Sequence, residues 1–213
     1  MQANPAEFWD QRYSYESYAY GELPNEYLKA QLPLLPVGSI LFPAEGEGRN
    51  AVHAATLGWE VSAFDLSVEG QKKALALAQR QEVGLDYRVG DLRDMSYPPE
   101  HFDAMALIYA HFPAALRADY HRQLDVYLKK GGTLIFEAFG KKQLAYQALN
   151  ETAGGPKDPD MLFSLEEIRA EFPGYTFVEW YETEVDLQEG PFHHGKGWVV
   201  RLVAVKNGKA PTS

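Results

Sequence analysis

The chain of 213 residues predicts a single α/β domain built on an open, doubly wound, Rossmann-like sheet, and three observations carry that expectation. Short apolar runs alternate with segments of helical period from residue 39 onward, the pattern of strands joined by crossover helices. The first run, Ser39-Ile-Leu-Phe42, leads through Pro43-Ala-Glu-Gly-Glu-Gly48 into Arg49-Asn50 and a helical stretch. Gly46 and Gly48 let backbone N–H groups approach a ligand where a Cβ would collide. The next run, Val61-Ser-Ala-Phe-Asp65, ends on an acid 17 residues beyond Gly48, close to the spacing at which dinucleotide-binding units grip a ribose hydroxyl.

Composition narrows the chemistry. Hydrophobic residues make up 46% of the chain, enough for a substantial core. No apolar run approaches the ~18 residues a spanning helix needs, and the start is not that of a secretory signal, so a cytoplasmic protein without membrane contact is expected. The absence of cysteine removes disulfides, thiolate metal sites and thiolate-ligated iron–sulfur clusters. A net charge of −10 with scattered lysines and arginines opposes a phosphate backbone, which favours a small molecule over nucleic acid. No metal is expected: His193 and His194 are adjacent, extended neighbours point to opposite faces, and no third ligand accompanies them.

Residues 8–27 hold seven aromatics, Phe8, Trp9, Tyr13, Tyr15, Tyr18, Tyr20 and Tyr27, before any core strand. Such a segment packs somewhere, either as a flap on the sheet edge or as a lid that excludes water from a ligand. Residues 1–36 are therefore set apart as a lid segment and 37–213 as the domain proper. A short helix over 26–31 is stopped by Pro33 and Pro36, and the first strand follows at 39–42. Residues 51–57 form a helix that Gly58 ends, 61–65 the second strand, and 71–81 the returning helix with Ser67 as N-cap.

The third strand, 86–89, runs into Gly90-Asp91-Leu92, where Asp91 is a turn cap or a ligand residue. The fourth, 101–108, is apolar enough to be central and ends in Tyr109-Ala-His-Phe-Pro113. Pro113 opens a helix with Leu116, Tyr120, Leu124 and Leu128 on one face, closed by Lys129, Lys130 and Gly131-Gly132. Strand 133–136 ends at Glu137, and a polar helix and the loop 154–159 follow. Ser164-Leu-Glu-Glu167 is a capping box, and two strands, 175–187 and 197–206, close the chain around Glu189-Gly-Pro-Phe-His-His-Gly195. Ligands of open sheets lie beyond the carboxyl ends of the strands, so Tyr109 and His111 fall at the site, His111 either as a structural hydrogen-bonder or against substrate.

The run Glu45-Gly-Glu-Gly-Arg-Asn50, with Asp65, Gly90-Asp91 and Gly131-Gly132, resembles the class I adenosylmethionine-dependent methyltransferases, most of all their tellurite-resistance methyltransferase-like branch. Trp9, Arg12, Tyr13, Tyr20, Gly21, Pro24 and Asn25 match that branch's Trp-x-x-Arg-Tyr, Tyr-Gly and Pro-Asn pattern and favour the lid. The resemblance implies a seven-stranded, mostly parallel sheet with an antiparallel last strand. It also implies S-adenosyl-L-methionine held by Ala44, Glu45, Gly46, Glu47, Gly48, Asn50, Asp65, Leu66, Ser67, Asp91, Leu92 and Tyr109, and S-adenosyl-L-homocysteine as product. Acceptor contacts fall to Trp9, Arg12, Tyr13, Tyr20, His111, Phe112, His193 and His194, with His111 as the candidate base or positioning residue. Many class I enzymes carry an acidic residue two places before the first loop glycine and a third glycine, where this chain has Phe42, Pro43 and Ala44, which should stiffen the loop.

Charge agrees with that cofactor. Glu45 and Glu47 bracket the first loop glycine and would repel a pyrophosphate, whereas a sulfonium and an ammonium tolerate them. An NAD-dependent oxidoreductase would also need the third glycine of its fingerprint, which is missing. The expected activity is methyl transfer to a small molecule, such as a thiol or a chalcogen nucleophile. The alternative is a non-catalytic protein that binds the cofactor or its demethylated product.

Overall fold

The computed structural model describes residues 4–208; the extreme ends of the lid and domain ranges, 1–3 and 209–213, lie outside them. Seven strands form one sheet: β1 (Ser39–Pro43), β2 (Glu60–Asp65), β3 (Asp86–Val89), β4 (Phe102–Ile108), β5 (Leu128–Phe139), β6 (Tyr175–Gln188) and β7 (His194–Lys206). Their order is β3-β2-β1-β4-β5-β7-β6. Strands β1 to β5 pair in parallel, and β7 runs antiparallel to both β5 and β6. Strand order reverses between β1 and β4, which puts the switch point beside the glycine loop.

Strand alternation builds a core on each face. Ile40 and Phe42 join Ala51, Ala54, Ala63 and Ile135 under α3 (Arg49–Thr56) and α4 (Val68–Arg80). Leu41 points the other way and joins Leu107, Phe136 and Leu124 under α5 (Ala114–Tyr127), with Ile168 of α7 (Leu165–Glu171). Ser67 caps α4 by accepting from the Gly70 amide at 2.9 Å, and the Ser164–Glu167 capping box opens α7, both as the sequence leads one to expect.

The boundary between α5 and β5 differs from expectation. The helix ends at Tyr127, and Leu128, read as its last apolar position, opens β5 opposite Phe102. Strand pairing wins because Leu128 is fully buried there, while Lys129 and Lys130 pair with Asp103 and Glu100 across the β4 edge. The closing hairpin is also longer than predicted, because pairing continues past Val185–Gly197 through Asp186–Lys196 and Leu187–Gly195 to Gln188–His194 and tightens the turn to 189–193.

The N-terminal segment divides in two. The helix α2 (Glu26–Gln31) and the following turn bury Tyr27, Leu28 and Leu32 in the core over β1, so this part belongs to the domain. Only α1 (Pro5–Tyr13) and the stretch up to Asn25 cross the carboxyl end of the sheet. Helix α6 (Gln143–Leu149) packs against β7 on the far side of the hairpin. Among the described residues no helix is long and apolar enough to cross a membrane.

Candidate active site

The loop after β1 turns through three left-handed residues, Ala44 at φ 53°, Gly46 at 65° and Gly48 at 87°. Gly48 has no room for a side chain: a Cβ there would lie 2.4 Å from the Ala74 Cβ on α4. Ala44 holds the same backbone hand with a Cβ, a strained choice that answers to the departure noted at Phe42-Pro43-Ala44.

Two carboxylates frame this loop without a cation of their own. Glu45 Oε1 accepts from the amides of Asn50 at 2.9 Å and Ala51 at 2.7 Å, capping α3, which Gly48 cannot do. Burial pushes its carboxyl up to about 7 against those bonds and the pull of Arg49. Asp65, at the end of β2, accepts from the Gly46 amide at 3.0 Å and the Ser67 amide at 2.9 Å, so it ties the loop to the second strand. Burial raises it to about 6. Leu66 is half-buried between them in sequence.

Glu47 does something else. It is buried, ion-paired with Lys73 at 2.8 Å, and accepts from the Ala19 amide at 2.7 Å, so it ties the glycine loop to the N-terminal segment. Asn50 likewise accepts from the Asn25 amide at 2.9 Å, and Ser67 donates to Asp10 at 2.6 Å. Tyr13 is buried on the loop, stacks on Trp9 at 5.5 Å and would meet a Cβ on Gly46 with its hydroxyl.

Asp91 caps the turn that begins at Leu92 by accepting from the Arg93 amide at 2.9 Å, and it accepts from Tyr120 at 2.7 Å. Burial opposes its charge, but Arg93 and Tyr120 outweigh that and hold it down at about 2. Leu92 is buried beside it.

Beyond β4, Tyr109 is left-handed at φ 53° and donates to Glu137 at 2.7 Å. Glu137 also receives Asn25 at 2.7 Å and the Arg201 guanidinium. Asn25 reaches a second carboxylate, Glu189, at 3.0 Å, and Glu189 pairs with buried Arg49 at 3.0 Å. Burial would raise Glu189, yet Arg49 and His193 hold it at about 2.

The histidines sort by their free nitrogens. His111 Nδ1 lies 2.9 Å from the Met161 carbonyl, which can only accept, so Nδ1 carries the proton. Its Nε2 then accepts from the Phe139 amide at 3.3 Å. Both nitrogens are committed, and burial lowers the ring to about 4, so His111 is a neutral structural link in this conformation. His193 is different. Its Nδ1 donates to Glu189 at 3.2 Å, its ring lies 4.4 Å from Tyr20, 4.6 Å from Tyr109 and 5.1 Å from Phe139, and Nε2 has no partner among the described residues. Burial and the nearby Arg49 lower its pKa, partly offset by Glu189.

His194 is exposed and offers only its carbonyl, to Asn150 and Thr152, so the tight turn separates it from its neighbour. Phe112 also leaves the site: it packs at 5.1 Å on Tyr120 in the core under α5. Trp9, Arg12, Tyr13, Tyr20, Tyr109 and His193 do converge, through the N-terminal segment and the hairpin. Glu189, four residues before His193, completes this group, and that spacing is visible in the sequence. Two hollows, of about 340 and 530 Å³, lie at the other end of the sheet around Trp59 and His101 and around Ser39 and Lys129, away from this constellation.

Comparison with known proteins bears on the fold. The family model of a methyltransferase domain matches residues 43–136, from the glycine loop to β5. A structure reported for the conversion of a disulfide bond into a thioacetal group during echinomycin biosynthesis superposes with a TM-score of 0.77 at 20% identity, over 98% of this chain and 95% of that one. The chain has the Rossmann-like methyltransferase fold. TehB from Haemophilus influenzae shares that fold at a TM-score of 0.69 and 12% identity, over 95% of this chain and 67% of its own. So does magnesium protoporphyrin IX methyltransferase from Synechocystis PCC 6803 with bound S-adenosylhomocysteine, at 0.65 and 16%, over 97% and 90%. No curated protein sequence matches the chain.

Proposed function

We propose that this methyltransferase fold binds S-adenosyl-L-methionine at the glycine loop and transfers its methyl group to a small-molecule acceptor, a thiol or a chalcogen nucleophile. The observation that carries the proposal is the charge at the loop. Glu45 and Asp65 are carboxylates with no cation of their own, while the nearby Lys73 and Arg49 are spent on Glu47 and Glu189. A pyrophosphate finds repulsion there, whereas a ribose hydroxyl and a cationic amino-acid moiety find acceptors. Gly46, Gly48 and Asp65 would hold the nucleoside and Glu45 would face its positive end. Bound adenosylmethionine supplies an activated methyl on its sulfonium.

The chain's own residues then have limited work. Tyr20, Tyr109 and Phe139 enclose His193 and exclude water, and their ring faces suit a cation. His193 Nε2 can take the proton of a thiol or hydroxyl acceptor, and Glu189, fixed by Arg49, stabilises the charge that results. An acceptor that arrives already ionised needs only the positioning. A sulfur or chalcogen acceptor is supported by the Trp-x-x-Arg-Tyr pattern of the lid and by the sulfur chemistry of the echinomycin-pathway neighbour.

Calorimetric titration with S-adenosylhomocysteine, with NAD as control, tests the cofactor. Binding of the former alone, lost in Asp65→Ala, is the expected result; undiminished affinity in that variant sinks the ribose assignment. Product formation with thiols, selenite or tellurite separates an enzyme from a protein that only binds the nucleoside.

A further inference from the structure

Arg12 is the cation of the lid with no carboxylate assigned to it. It lies in the last turn of α1, and its guanidinium carbon is 4.0 Å from the centre of the Phe192 ring and 5.2 Å from that of Phe8. Nη1 donates to the Tyr20 hydroxyl at 3.2 Å. The other cations around the cleft are matched, Arg49 with Glu189, Arg201 with Glu137 and Lys73 with Glu47, whereas Arg12 has no ion-pair partner among the described residues. A guanidinium carries five N–H donors, and only one is used here.

We propose that Arg12 is the receptor for an anionic group on the methyl acceptor, so that the acceptor carries a carboxylate or oxyanion in addition to its nucleophile. The assignment rests on the cleft being a methyltransferase site. Stacking against Phe192 and the bond to Tyr20 restrict the planar fork, which lowers the entropy lost when it meets a bidentate partner. Its address is the acceptor's side. Arg12 touches the lid and the β6–β7 turn, and Tyr20, which it holds, lies against the His193 ring. Its neighbour Tyr13, by contrast, packs on Gly46. The aromatic walls at Phe8 and Phe192 suit an anion attached to an apolar body, and a chain of net charge −10 needs a local cation to retain any anion at all.

The test uses the full chain and Arg12→Gln, with thermal melting to show that both fold. Each is titrated with S-adenosylhomocysteine and 5′-methylthioadenosine, which lacks the amino-acid carboxylate. Each is then saturated with S-adenosylhomocysteine and titrated with benzoate and with selenite. The expected result is unchanged nucleoside binding and a loss of anion affinity of about tenfold or more, the size of one charge-assisted contact. Equal anion binding by the two proteins, or none by the parent, overturns the proposal. So does a selective loss of S-adenosylhomocysteine with methylthioadenosine unaffected, because Arg12 then serves the cofactor's own carboxylate. If the parent binds no nucleoside, the methyltransferase reading fails separately, and anion titration of the unliganded proteins still reads Arg12.

Discussion

His111 and His193 both lie against Phe139, and only His193 has a nitrogen to spare. His193→Gln should lower kcat by about a hundredfold for an acceptor that must lose a proton, while S-adenosylhomocysteine affinity stays within about twofold of the parent. An equal loss for an acceptor already ionised would mean that the ring only positions. The sequence puts His111 at the right end of the sheet but cannot show its commitment, because the Met161 carbonyl is 50 residues away and the Phe139 amide 28. At Glu45 the pKa, raised by burial to about 7, sets a pH dependence. Its folded value lies above the unfolded one, so its stabilising share is complete below the unfolded value and is lost as pH rises through about 7. Glu45→Gln keeps an oxygen for the Asn50 and Ala51 amides and should therefore melt level with the parent at about pH 4.5 and above it at about pH 8. A melting difference independent of pH would remove this carboxyl from the account.

Among the elements, the strand–loop–helix unit is the one most fully legible, because glycine chemistry is local. Gly48→Ala tests it. The new Cβ would stand 2.4 Å from the Ala74 Cβ and 2.7 Å from its Cα, and φ at 87° is costly for alanine. Overpacking and the left-handed backbone together predict a loss of about 2–4 kcal/mol, read from the urea midpoint. A change under ~0.5 kcal/mol would mean that α3 and α4 part freely. The end of α5 was not legible in the same way. Helical period continued through Leu128, and only the pairing with Phe102, which sequence does not display, turns that residue into a strand. The same holds for the hairpin, where three extra residue pairs, Asp186–Lys196, Leu187–Gly195 and Gln188–His194, leave His193 buried in the turn and His194 exposed at the strand end.

For the molecule as a whole, the N-terminal segment meets the sheet through Asn25. Its amide donates to Asn50 in the glycine-loop helix, its side-chain nitrogen to Glu137 in β5 and to Glu189 in the β6–β7 turn, and its side-chain oxygen caps α2 through Leu28. One buried side chain thus joins the glycine-loop helix, β5, the β6–β7 turn and α2. Asn25→Ala keeps the backbone bond and deletes the rest, leaving two carboxylates each short of a donor. The expected loss is about 2–4 kcal/mol, from the cap and from hydrogen bonds to charged groups. The same change should loosen the stretch from α1 to Asn25 before the core unfolds, since Tyr27, Leu28 and Leu32 keep α2 buried without it. Limited proteolysis then cuts within residues 14–24 of the variant at protease levels that spare the parent, and saturating S-adenosylhomocysteine slows that cutting if the lid closes on the nucleoside. Cutting that begins instead in the β6–β7 turn would place the weak point in the hairpin, with Asn25 serving Glu189 and not the lid.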